Sequence, residues 1–407
     1  MMWRILFWMA LAAGARGAGS SPPPLIAISL DGFRWDYCDL HPGETANLRR
    51  LRQEGVTARG LIPVFPSNTF PNHYSIVTGL YPAHHGIVNN EFFDPARRMF
   101  FRYFQASSVH DPAWWQGEPI WATAIRQGRT AAVSFWVGSE AEVAGVRPTY
   151  WRSYDASTTF EQRLAEVTTW MRQPPAQRPA VIAFYLEETN GAGHRFGPAS
   201  PELVAAIRLC DERVGRLIAE VRSAGAEPNV VIVSDHGMAE VSRDRTILLD
   251  EFIDLKTVQI DSDGSVLALR PIDGKADALM AALAKLPHAR AYRREEMPAR
   301  FHFQDGSDRI APVWVLPEEG WHLVTRATFE RLRRRFTEKG YLAGDHGYDP
   351  ALASMRGIFI AHGPAFRRGV ELPEMENVHL YNLMCAVAKL RPAPNDGDDR
   401  LVRAALR

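Results

Sequence analysis

The chain has 407 residues with 46% apolar and 23% charged side chains, material for a large core in one elaborated α/β domain or in two domains. Its formal net charge is +0 and no basic stripe or run stands out, which argues against a binder of nucleic-acid scaffolds. Three cysteines, Cys38, Cys210 and Cys385, allow at most one internal disulfide and no thiolate zinc site, so a metal would have to be held by oxygen and imidazole.

Met1-Met2-Trp3-Arg4 precedes an apolar run from Ile5 to Ala13 and small residues up to Ala18, the pattern of a secretory signal over 1–17. That run is too short to span a bilayer and no later one is longer. The mature protein is therefore expected to be exported, periplasmic or secreted, without a transmembrane segment. After Pro22-Pro23-Pro24, residues 25–30 form an apolar run without polar alternation, which predicts a buried parallel strand. It ends at Asp31-Gly32, so a carboxylate falls at a strand's C-terminal edge, where open α/β sheets place their ligand sites; a turn-capping Asp reads equally well there. Residues 47–55 predict a helix. Ser67-Asn68-Thr69-Phe70 then sets a hydroxyl at a helix start, whose N–H groups and dipole favour anions, although a Ser or Thr in that place is more often only a cap. Asn90, shortly before Asp94-Pro95, offers an amide to a phosphate oxygen or simply makes a turn.

Helices are expected at 119–127, 160–172 and 201–223, and strands at 130–137, 180–186 and 230–233. This alternation predicts a doubly wound, mostly parallel sheet. Between 130–137 and 160–172 lies an aromatic loop, 147–155, in which Trp151 is expected to close the core. Cys210 falls in the apolar pattern of the long helix and reads as packing. The stretch 247–337 behaves differently: strands at 257–260 and 265–270 flank the turn Asp261-Ser262-Asp263-Gly264, followed by a helix at 276–286 and strand-like runs at 289–293 and 309–316. It predicts a small α+β lobe inserted into a main domain built from 24–246 and 338–392. The tail, 393–407, is polar and expected to be loose.

Four fragments end apolar runs or turns with acid and imidazole: Leu30-Asp31-Gly32, Glu187 to His194, Ser234-Asp235-His236-Gly237, and Gly344-Asp345-His346-Gly347. With the Thr69 segment they resemble the nucleotide pyrophosphatase/phosphodiesterase family of the alkaline phosphatase superfamily, in its bacterial secreted form, over roughly 24–390. The resemblance implies two zinc ions. One would be held by Asp31, Asp235 and His236 and touch Thr69. The other would be held by His194, His346 and the residue at 190, where Asn190 replaces the family's aspartate. Thr69 would be the nucleophile of a phospho-threonine intermediate, Asn90 a donor to the phosphate, and Phe70 and Tyr154 a slot for the nucleobase of a small nucleotide substrate cleaved to a nucleoside monophosphate. The nucleophile segment has no arginine to clamp a terminal phosphate, which favours a diester over a monoester. For Asn190 four accounts stand: a weaker neutral ligand, loss of activity, compensation by Glu187 or Glu188, and deamidation at Asn190-Gly191. Two other functions stay open, a choline-type lysophospholipid phosphodiesterase with the same chemistry and a non-catalytic nucleotide binder disabled by Asn190. Oligomeric state is left open by the sequence.

Overall fold

The computed structural model describes residues 23–272, 274–304 and 306–407, so the expected signal segment, 1–17, lies outside the described residues. Its centre is a seven-stranded sheet. In chain order its strands are β1 (Leu25–Leu30), β2 (Val56–Ala58), β5 (Ala131–Ser134), β6 (Val181–Leu186), β7 (Asn229–Val233), β12 (Phe359–His362) and β13 (Val370–Leu372), arranged spatially as β13-β2-β12-β7-β1-β6-β5. All neighbours run parallel except β12, which is antiparallel to both β2 and β7. The sheet is α/β, doubly wound and mostly parallel, as the alternation of elements predicts.

The strands lack polar alternation because both faces are covered. Leu25, Ala27, Val181, Ala183, Val231 and Val233 pack into one buried cluster, and Ile26, Ile28, Leu30, Ile182, Phe184 and Ile232 into another across the sheet. The helices supply apolar stripes to these faces. In α6 (Pro201–Ser223), Leu203, Ile207, Cys210, Val214, Leu217 and Val221 recur every three or four residues and are buried. Its start is fixed by Ser200, whose hydroxyl accepts from the Leu203 N–H, and by Pro201 in the first turn. Similarly, α4 (Phe160–Met171) begins with a reciprocal cap between Thr159 and Gln162. Other helices are α1 (Ala46–Glu54), α2 (Thr69–Thr78), α3 (Ile120–Arg126) and α5 (Glu188–Phe196). All three cysteines are unpaired and buried.

Beyond β7 the chain forms a second, antiparallel sheet of four strands: β8 (Val258–Ser262), β9 (Leu267–Pro271), β10 (Ala289–Arg293) and β11 (Val313–Pro317), ordered β8-β9-β11-β10, with helix α7 (Ala276–Leu283) beside β10. Its own apolar cluster includes Leu267, Leu269, Leu279, Leu283, Val313 and Val315. A hairpin not anticipated from the sequence, β3 (Glu91–Asp94) with β4 (Met99–Arg102), bridges the two parts. Arg309, buried before β11, pairs with Asp94 of β3 at 2.9 Å and donates to the carbonyls of Gly86, Ala113 and Trp114.

Two expectations need correction. The tail is ordered: α9 (Arg400–Ala405) buries Leu401 and Ala405, packs on α8 (Leu380–Val387), and is held by Arg367 N–H donating to the Ala405 carbonyl. Two apolar side chains spaced one helical turn apart were enough to dock it. Trp151 does not close the core; it is only partly buried, with the Arg147 guanidinium over its ring. Among the described residues no helix is long and apolar enough to cross a membrane.

Candidate active site

Three neighbouring parallel strands carry the chemistry to one edge of the sheet. β1 delivers Asp31, β7 delivers Ser234-Asp235-His236, and β6 runs into α5, which carries Asn190 and His194 one turn apart. The tight turn after β1 needs Gly32: its φ is +68°, and a Cβ there would lie 3.1 Å from the Asn190 Cα. Thr189 adds a hydroxyl bond to the Asp31 carbonyl, locking α5 onto the end of β1.

Around His236 four polar atoms converge. Its Nε2 lies 3.2 Å from Thr69 Oγ1, 3.4 Å from Asp31 Oδ1 and 3.1 Å from Asp235 Oδ2. The Nδ1 side of the ring is committed to the Gly237 carbonyl at 2.8 Å. The same arrangement recurs in the other two histidines: His194 Nδ1 sits 2.8 Å from the Gly344 carbonyl and His346 Nδ1 3.0 Å from the Ser67 carbonyl. In each ring a backbone acceptor takes the Nδ1 proton, so the neutral form presents a bare Nε2 lone pair, the way metal-ligating histidines are oriented. The His236 and His346 rings stack 3.5 Å apart, and His346 is 5.0 Å from His194, so the two groups adjoin.

Cation binding is tested by the atoms left over. Asp31 Oδ1, Asp235 Oδ2 and Asn190 Oδ1 are buried and have no hydrogen-bond partner. Buried oxygens without donors are costly, and two of these, on Asp31 and Asp235, face the His236 Nε2, which fits a site completed by a cation. Two groups have ligand atoms within 4.8 Å of one another: Asp31, Asp235 and His236, and His194, Asp345 and His346. Carboxylates mixed with imidazoles, without thiolate, suit zinc.

The electrostatics separate the two groups: burial lowers the His236 imidazole, but the Asp235 and Asp31 charges beside it raise it to about 9. Burial pushes the Asp31 carboxyl up, and the Asp235 charge beside it pushes further in the same direction. Burial also opposes ionisation of Asp235, but the His236 and His73 imidazoles hold it well below the usual carboxylate range. Burial lowers His194, and it lowers His346 well below the ordinary value with help from the neighbouring His236 and His194. Both rings are thus neutral and ready to ligate at neutral pH.

Every residue expected at the two centres lies at this edge of the sheet, with differences in detail. Asn90 Oδ1 accepts the Phe70 N–H at 2.9 Å, so the first turn of α2 spends that donor on Asn90 and not on an anion, while Asn90 Nδ2 has no protein partner among the described residues. Phe70 packs on Phe101, Tyr103 and Trp115. Tyr154 is 47% exposed, packs on Phe135, and donates its hydroxyl to Glu187. The Phe70 and Tyr154 rings make no contact with each other. Neither glutamate offered as compensation for Asn190 is free: Glu187 holds Tyr154, and Glu188 is paired with Arg213.

Three functional residues were missed. His73 bonds the Thr69 carbonyl through Nδ1 at 3.0 Å and Ser29 Oγ through Nε2 at 2.7 Å, and its Nδ1 also lies 3.1 Å from Asp235 Oδ2 without a hydrogen bond to it. It lies one helical turn after Thr69, a spacing that could have flagged it. Tyr185 donates to Asp31 Oδ2 at 2.6 Å; on an apolar strand it gave no signal. Asp345 was quoted only as a neighbour of His346.

The sequence pattern of the type I phosphodiesterase / nucleotide pyrophosphatase family matches residues 25–349, which contain every residue of this site and the three strands that carry it. The chain belongs to that family. Among relatives, a bis(5'-adenosyl)-triphosphatase of Bos taurus is 37% identical over 401 residues, 97% of this chain and 84% of that protein. A venom phosphodiesterase of Crotalus durissus collilineatus is 35% identical over 402 residues, covering 93% of this chain and 46% of that one. This phosphodiesterase-family chain therefore spans about half the length of the venom relative. Among solved structures, an inactive variant of murine ectonucleotide pyrophosphatase/phosphodiesterase 5 in complex with AMP superposes with a TM-score of 0.87 at 33% identity, over 95% of this chain and 100% of that one.

Proposed function

We propose that this chain is an exported hydrolase that cleaves nucleotide phosphodiester or pyrophosphate bonds and releases a nucleoside monophosphate. The observation that carries the reading is the Thr69 hydroxyl, placed at the start of α2 and 3.2 Å from a histidine nitrogen whose other neighbours are two buried carboxylates. Two zinc ions, one among Asp31, Asp235, His236 and Thr69 and one among His194, His346 and Asn190, would supply the positive charge that activates the attacking oxygen and offsets the leaving oxygen.

The protein's own residues do the rest. Thr69 Oγ bonds to phosphorus as the bond to the departing oxygen breaks, and the threonyl proton leaves with that oxygen. Water then displaces the threonine from phosphorus, returns a proton to Oγ and releases the monophosphate. Asn90, with its carbonyl oxygen anchored by the Phe70 N–H, is oriented to donate from Nδ2 to a non-bridging oxygen. His73 bonds the Thr69 carbonyl and lies against Asp235, so nucleophile and carboxylate keep one spacing. Phe70 and the half-exposed Tyr154 supply aromatic faces at the rim for a nucleobase. The AMP bound by the murine relative supports this substrate class.

The test is hydrolysis of p-nitrophenyl thymidine monophosphate while zinc is titrated into the metal-free protein, beside Thr69→Ala. We expect zinc-dependent turnover by the parent, at least about 10³-fold less by the variant, and little cleavage of p-nitrophenyl phosphorylcholine. An inert parent at every zinc concentration, or full activity in Thr69→Ala, would sink the proposal.

A further inference from the structure

Asn190 creates a charge problem at the second centre. The first centre has two carboxylates, Asp31 and Asp235, to balance a dication. With Asn190, His194 and His346 alone, the second would set an uncompensated double charge in a largely buried place. The glutamates at the start of α5 are held by Tyr154 and Arg213 and cannot turn inward without breaking those pairs.

We infer that Asp345 is the anionic ligand of the second centre, substituting for the carboxylate that position 190 lacks. This rests on the two-cation reading above. An Asp345 oxygen lies within 4.8 Å of a ring nitrogen on each of His194 and His346, the contact with His194 being Oδ1 to Nδ1 at 3.7 Å. Its backbone is fixed: Gly344–Asp345 pairs antiparallel with Ala239–Glu240, Asp345 opposite Ala239. Close approach to α5 depends on the residue before it, since a Cβ on Gly344 would stand 2.5 Å from the Gly193 carbonyl oxygen. The carboxylate is also oriented from behind. His322, 1% exposed, places Nε2 2.9 Å from Asp345 Oδ2, and its Nδ1 lies 3.2 Å from the Tyr341 hydroxyl. His322 is thus a positioning residue, and Asn190 Oδ1, buried and unpartnered, would add at most a neutral ligand. Two imidazoles and one carboxylate with a position left open is the ligand count of a catalytic zinc.

The experiment measures zinc, not turnover. The metal-free full chain is loaded with zinc, its zinc content is measured by atomic emission, and its affinities by competition with a chromophoric chelator. The parent is compared with Asp345→Asn, Asn190→Asp and the double variant. We expect two zinc ions in the parent, a second site weakened at least 10-fold to 100-fold in Asp345→Asn, and recovery of that site in the double variant. Two ions with unchanged affinities in Asp345→Asn would overturn the role of Asp345 alone. A parent that takes up no zinc at either centre would overturn the two-cation reading with it. Should the substitution prevent folding, zinc-soaked crystals of the unaltered chain decide: a second ion about 2.0–2.2 Å from an Asp345 oxygen supports the inference, and one bound without that contact refutes it.

Discussion

At the scale of single residues the site works by hydrogen bonds that leave one atom over. Asn90 is the clearest case, because its carbonyl oxygen is held by the Phe70 N–H and its amide nitrogen is free. Replacing Asn90 with Ala removes one donor to the reacting phosphate. The expected result is a loss of roughly 10²–10³-fold in kcat with zinc content unchanged. Equal kcat values in steady-state assays of parent and variant would show that Asn90 only caps α2. Local sequence left Asn90 balanced between a phosphate donor and a turn residue before Asp94-Pro95; a hydrogen bond from the first turn of α2 to its oxygen was not foreseen.

At the scale of elements, burial turns a titratable side chain into a pH-dependent weakness. His85 is fully buried after α2, with Nδ1 accepting the Ile87 N–H at 3.2 Å and Nε2 3.0 Å from Ser75 Oγ. Both nitrogens are used by the neutral ring, and burial lowers its pKa to about 3. The unfolded chain takes up a proton below its ordinary value of 6.5, and the folded one does not until about 3. Stability that is fully present above pH 6.5 should therefore fall as pH drops through this window, by about 1.4 kcal/mol per pH unit from this group. Urea unfolding at stepped pH should show that slope in the parent and its loss in His85→Gln; parallel profiles would refute it. Elements were legible where local chemistry fixed their ends. The long helix was expected at 201–223 and forms there because Ser200 and Pro201 set its start. The β3–β4 hairpin escaped notice because its Phe-rich strands take their partners from Trp114 and Trp115, remote from any periodic signal.

At the scale of the molecule, the segment before β11 is fastened to the β3–β4 hairpin through a buried ion pair. Arg309 and Asp94 are both nearly inaccessible, and Arg309 also gathers three carbonyls. Arg309→Ala would strand the Asp94 charge and three acceptors, so the variant should lose about 3–5 kcal/mol in equilibrium unfolding. A loss under 1 kcal/mol would show that this segment is held by its apolar contacts alone. The fold class was readable because apolar runs of six residues alternate with helical periods. The centres were half readable: strand ends announced Asp31, Asp235 and His236, whereas His73, Tyr185 and Asp345 matter only through neighbours brought from far along the chain.

The three imidazoles are aimed by carbonyls of Gly237, Gly344 and Ser67, groups that belong to the folded backbone itself. Their orientation is thus set by the fold of the chain around them. Rings aimed by backbone carbonyls have little torsional freedom left to lose, so whatever their Nε2 atoms bind meets an arrangement ordered in advance.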